Sequence, residues 1–168
     1  MVMAYMWTAT SFTYYMIAFQ LKYLKGNIYN NSLASGGSEM VAIAISGVLY
    51  TKLGLKKSFT LLYALSCVGG CCILFLGAEA GGIAMPLFVI LSKFGISGAF
   101  VLIYCSTVDV FPTLFCASAL GFCNFFARII TILAPEVAER DPPLPMLLFV
   151  SFTALGSILI WLVKPLKE

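Results

Sequence analysis

Histidine is missing from this 168-residue chain, and Asp, Glu, Lys and Arg together supply only 10% of it. The first absence removes the commonest general base and metal ligand. The second excludes an ordinary water-soluble domain, where charged residues approach a quarter of the composition. No run of Lys or Arg occurs, and a net charge of +3 spread along the chain is no footprint for nucleic acid. No nucleophile stands beside a base and no glycine-rich phosphate loop is present, so the sequence suggests neither an enzyme nor a cofactor. A channel would need a filter or a ring of like charges, and neither is written here.

The cysteines do not form a secreted disulfide pattern. Cys67, Cys71, Cys72, Cys105, Cys116 and Cys123 lie in or beside apolar runs, where thiols behave as small hydrophobes. "CVGGCC" puts Cys67 and Cys71 on one helix face, but without His or carboxylate partners this predicts packing and no metal site. The "NNS" at Asn30 to Ser32 is a formal glycosylation sequon in a short turn, read as a chance match.

Apolar residues are what the chain has in abundance, at 61% hydrophobic with a mean hydropathy of +1.02. A membrane span needs roughly 20 such residues, so about six helices nearly exhaust the length. The predicted fold is an all-α membrane protein, a single domain over residues 1–168. Its spans fall at about 2–24, 33–53, 58–77, 84–108, 114–135 and 144–163. The breaks are "KGNIYNNS", "LGLKKS", "GAEAGG", "DVFPT" and "ERDPPLP", each rich in Gly, Asn or Pro turn chemistry. The first run opens at Met1 with no basic leader and no cleavage site, and is read as a span rather than a signal peptide. If it starts in the cytoplasm, the inner loops carry Lys52, Lys56, Lys57, Lys164 and Lys167. The outer turns then hold Lys22, Lys25 and Arg140. That asymmetry follows the positive-inside rule and puts both termini in the cytoplasm.

Polar residues inside the spans are few and cluster in depth. Counting about 1.5 Å per residue from the span ends places Tyr14, Tyr15, Glu39, Lys93 and Arg128 roughly 9–13 Å below the outer boundary. Asn124 lies one turn before Arg128. A charge at this depth is costly and normally faces a partner or a wet cavity. Residues 58–77 and 144–163 carry no charge and read as lipid-facing supports, leaving the other four spans to wall a polar space. A purely structural alternative has Glu39 pairing with Arg128 or Lys93 merely to hold helices together. Gly95 with Ala99, and Ala117 with Gly121, have the small-xxx-small spacing that lets helix backbones approach.

At "GVLYTKLGLKK" the sequence resembles the G-x-L-x-D-R-x-G-R-[KR]-[KR] loop of the major facilitator superfamily. Gly47, Leu49, Lys52, Gly54, Lys56 and Lys57 fit, while Thr51 replaces the Asp and Leu55 an Arg. "FTYYMIAFQLKYLKGNIYNN", "LSKFGISGAFVLIYCSTVDVFPT" and "FFARIITILAP" resemble helices seven, ten and eleven of its organic ion transporters, which carry organic cations, anions and carnitine. Asp109, Phe111, Pro112 and Thr113 match the family's acidic-x-aromatic-Pro-Thr stretch, and Cys116 stands where an Arg follows.

The resemblance implies one half of a major facilitator fold, two nested three-helix inverted repeats. It further implies a plasma-membrane carrier that works by alternating access with a second six-helix half, either a missing amino-terminal half or a dimer partner. It assigns Gly47, Lys52, Gly54, Lys56, Lys57, Asp109 and Pro112 to a cytoplasmic gating loop. It assigns Tyr14, Tyr15, Glu39, Lys93, Asn124 and Arg128 to binding a small organic ion. Arg128 falls where the family's anion carriers have an Arg and its cation carriers an Asp. With Lys93 this favours anions such as carboxylates, which match the guanidinium's forked donors. The same tyrosines also suit an organic cation, with Glu39 as counter-charge. The alternative to transport is a membrane scaffold or structural subunit that kept the fold while positions 51, 55 and 116 drifted.

Overall fold

A computed structural model describes residues 2–20, 28–76, 84–140 and 143–163. Among them every regular element is helical. They are α1 (Val2–Gln20), α2 (Ile28–Leu76), α3 (Ala84–Val110), α4 (Thr113–Thr131), α5 (Ala134–Ala138) and α6 (Leu144–Leu159), the last ending in a 3-10 turn at Ile160–Leu162. The first predicted span reached to residue 24, and its positions 21–24 lie outside the described residues.

The residues predicted as spans at 33–53 and 58–77 lie along the two arms of α2, on either side of one non-helical residue rather than of a loop, with position 77 outside the described residues. Gly54 alone leaves helical geometry, at φ 74 and ψ 174, a region essentially reserved for glycine. Ser58 Oγ in the second arm then donates to the Leu49 carbonyl in the first, 2.9 Å away. Nine residues of straight helix would separate them by about 13 Å, so the chain folds back on itself at the glycine.

The predicted span at 114–135 ends early, at Thr131. Pro135 has no N–H with which to continue the ladder. The backbone closes instead with Ile132 N to Arg128 O at 3.2 Å and Leu133 N to Ile130 O at 3.1 Å. Pro135 then occupies the first turn of α5, where a missing N–H costs nothing. The break between α3 and α4 falls at Phe111 and Pro112, as the proline predicts, with Pro112 capping α4 in extended geometry.

Among the described residues, four helices are long and apolar enough to cross a membrane: α2, α3 from Leu87 to Val110, α4, and Leu144–Leu162. The protein is an integral membrane protein. α1 is as long as α4 but falls below that apolar level because Tyr5, Thr8, Thr10, Ser11, Thr13, Tyr14 and Tyr15 lie along it. The threonines remain compatible with a dry interior by bonding back to their own helix, Thr10 to Met6 O at 2.6 Å and Thr13 to Ala9 O at 2.6 Å.

α1 sits at the centre, touching α3, α4, α5 and α6, while α2 packs on α3 and α6. Trp7, Met6, Met16 and Ile17 of α1 are fully buried together with Phe59, Leu62 and Tyr63 of α2 and Phe149 of α6. The second arm of α2 meets α3 at very short range. A Cβ at Gly95 would run into the Leu62 carbonyl and Ser66 backbone, one at Gly69 into Ser92, and Ser66 Oγ donates to Ser92 O at 3.0 Å. Gly95 and Ala99 thus form a packing seam, as their spacing predicts. Ala117 and Gly121 form none among the described residues. Both are exposed, and nothing lies within 4 Å of a Cβ at Gly121. The uncharged 58–77 and 144–163 segments each bury one face and expose another, at Leu61, Val68 and Phe75 and at Leu147, Leu155 and Ile158.

Candidate functional site

Tyr14 and Tyr15 are adjacent on α1, so their side chains leave the helix about 100° apart and reach different neighbours. Tyr14 faces the first arm of α2 and the middle of α3. Its hydroxyl donates to Glu39 Oε1, and Lys93 Nζ lies 3.7 Å from its ring centroid. Tyr15 faces α4. Arg128 Nη1 donates to its hydroxyl at 2.5 Å, and the guanidinium carbon is 5.2 Å from its ring centroid. The two rings meet edge to face at 5.3 Å. The five residues assigned by depth to one layer are therefore joined in one network across four helices.

The pairing inside the layer differs from the structural alternative drawn from the sequence. Glu39 makes no ion pair within 4.0 Å with Lys93 or Arg128; among the described residues, one such pair is Arg140 with Glu136 at 3.5 Å. A tyrosine hydroxyl, reaching from α1 to α2, takes the place of the cation. Glu39 is still near enough to Lys93 to act on it electrostatically. Lys93 is 3% exposed, so its ammonium is shielded beneath the Tyr14 ring, a contact that compensates part of its lost hydration. Arg128 is exposed, with Nη1 donating to Tyr15 and Tyr104 as a second hydroxyl partner, so part of its set of N–H donors remains open.

Phe100 and Tyr104 extend this surface and were not singled out from the sequence. The Phe100 ring lies 4.8 Å from that of Tyr14, tilted by 31°, and meets that of Tyr104 edge to face at 5.7 Å. Tyr104 meets the Trp7 ring at 4.7 Å and interacts with Arg128. The signal was available, because Lys93, Phe100, Tyr104 and Thr107 follow one another at seven, four and three residues along one stripe of α3. Asn124 lies on α4 with its Oδ1 buried and without a hydrogen-bond partner among the described residues.

The residues of the predicted gating loop separate into two groups. Gly54 forms the fold-back, with Gly47 and Lys52 on the arm before it and Lys56 and Lys57 in the first helical turn after it. Lys52 and Lys57 are exposed. Asp109 and Pro112 lie at the end of α3, where Asp109 accepts from the Tyr50 hydroxyl and is in no ion pair with the loop lysines among the described residues. Cys116, at the position where the resemblance expects an arginine, points its Sγ at the Thr107 carbonyl, 3.8 Å away.

No protein-family model matches the chain. It is similar to organic anion transporter 3 of Mus musculus, 29% identical over 170 residues that cover 96% of this chain and 32% of that protein. It is similar to solute carrier family 22 member 4 of the same species, 30% identical over 164 residues, with 94% and 29% covered. It is also similar to organic cation/carnitine transporter 4 of Arabidopsis thaliana, 33% identical over 141 residues, with 83% and 27% covered. The chain spans about a third of the length of the curated relatives it matches.

Proposed function

The chain belongs to the organic anion, cation and carnitine transporter family of the major facilitator superfamily, and from that premise we propose that it forms the carboxyl-terminal six-helix half of a carrier for small organic anions. α1, the two arms of α2, α3, α4 and α6 are the six spans of this reading. A second six-helix half completes it, and rocking of the halves about the Arg128 layer gives alternating access. Both termini face the cytoplasm of a plasma membrane, in keeping with the lysines around Gly54.

One observation carries the anionic reading: the Arg128 guanidinium is exposed and its partners are neutral hydroxyls, whereas Glu39 is engaged by Tyr14. A carboxylate there meets the remaining N–H donors of a permanent cation, with Tyr15, Phe100 and Tyr104 beside it for an apolar body. The test is uptake of radiolabelled benzoate by cells co-expressing this chain with the amino-terminal half of a relative. Arg128→Ala lowers that uptake with surface expression unchanged. A membrane scaffold shows no uptake from any such pairing, and that outcome removes the proposal.

A further inference from the structure

Three cations crowd the α2 fold-back without an acid to balance them. Lys52 stands just before Gly54, Lys56 and Lys57 just after it, and none is in an ion pair among the described residues. Asp109, on α3, is engaged by the Tyr50 hydroxyl, and the Thr51 hydroxyl turns back on its own helix, to Val48 O at 3.0 Å. One turn below Lys56 the surface becomes apolar. Thr60 Oγ1 donates to Lys56 O at 3.0 Å and accepts from Trp161 Nε1 at 3.1 Å, which fixes the indole of α6 beside the second arm of α2. Trp161 and Leu162 are exposed there, as is Leu61, which shares a helix face with Lys57.

We propose that this end of the second arm holds the headgroup of an acidic glycerophospholipid, with its phosphate and carboxylate on Lys56 and Lys57 and an acyl chain along Leu61, Trp161 and Leu162. An exposed indole with its N–H satisfied on one side belongs at the boundary between headgroups and hydrocarbon. Cations one turn nearer the water then stand at headgroup level, where an anionic lipid supplies the charge that the described protein residues do not. The site lies apart from the Arg128 layer and is independent of the anion reading.

Trp161 itself is the reporter, because Trp7, the other tryptophan, is fully buried. The full chain is placed in phosphatidylcholine vesicles doped with brominated phosphatidylserine or brominated phosphatidylcholine, and quenching of tryptophan fluorescence is followed against mole fraction. The brominated serine lipid is expected to associate about fivefold more strongly than the brominated choline lipid, the equivalent of one lysine contact at a membrane surface. The double variant Lys56→Gln, Lys57→Gln brings the two lipids level while quenching by the choline lipid stays as it was, which shows that Trp161 has not moved. Lys56→Arg with Lys57→Arg retains the preference, which separates charge from local structure. Equal association of the two lipids with the wild type, or a preference that survives in the double glutamine variant, overturns the proposal. Displacement of the brominated serine lipid by soluble glycerophosphoserine also overturns it, because the site then takes a free phosphate and has no need of the acyl chain.

Discussion

The Tyr50 hydroxyl donates to Asp109, joining the first arm of α2 to the last turn of α3. Two further bonds converge beside it: Trp7 Nε1 on α1 to Thr107 Oγ1 at 3.0 Å, and Cys116 Sγ on α4 to the Thr107 carbonyl at 3.8 Å. Four helices are thus fastened at one end by neutral donors, with an aspartate as the one charged member. Tyr50→Phe removes the donor to that aspartate and should cost about 1.5–3 kcal/mol, the range for a hydrogen bond to a charged group. Thermal unfolding in detergent should show a lower midpoint; an unchanged midpoint would mean that the bond contributes nothing to the fold.

Gly54→Ala isolates backbone strain from crowding. No atom lies within 4 Å of the added Cβ, yet φ is 74 and ψ is 174, a conformation that costs a non-glycine residue about 1–3 kcal/mol. The substitution is expected to destabilise the α2 fold-back, read as increased protease cleavage near residues 52–57. Cleavage no faster than in the wild type would refute the strain.

Two glycines on predicted packing motifs should respond in opposite directions. Gly95→Ala drives a methyl group into the Leu62 carbonyl and Ser66 backbone and is expected to cost about 1–3 kcal/mol, the range for overpacking. Gly121→Ala meets open space and should gain up to about 1 kcal/mol from helix propensity. Unfolding midpoints of the two variants, measured side by side, check the assignment of one seam as packed and the other as free.

Arg128→Lys retains the charge and discards the planar fork. If bidentate recognition is the basis of binding, benzoate affinity drops about tenfold, as expected for loss of one charge-assisted hydrogen bond of about 1.5 kcal/mol. Tyr15→Phe should have a smaller effect, because it removes the anchor of the guanidinium and leaves the guanidinium itself. Equal affinity in Arg128→Lys would reduce the site to a point charge.

That Tyr14, Tyr15, Glu39, Lys93 and Arg128 meet was legible in the sequence, because helical rise is nearly constant and counting residues brings them to one level. The fold-back at Gly54 and the break at Pro112 were legible for a related reason, since backbone chemistry acts locally. Partner choice was not. Whether Glu39 meets a cation or a tyrosine depends on the rotation of α1 against α2, which is set by packing far along both helices. The early end of α4 followed from Pro135, whose effect falls four residues upstream of the ring, at Thr131. The exposed Ala117 and Gly121 show the limit of a spacing motif: it permits close approach and names no partner.

The buried side chains of α4 are Cys123, Ala127 and Thr131, one every four residues, so this helix rests on its neighbour α1 along a shallow rail of small groups. Leu120 is the larger side chain of α4 that is partly buried against the core. The tether between Arg128 and Tyr15 is then a crossbar between two rods, set beside that rail of small groups.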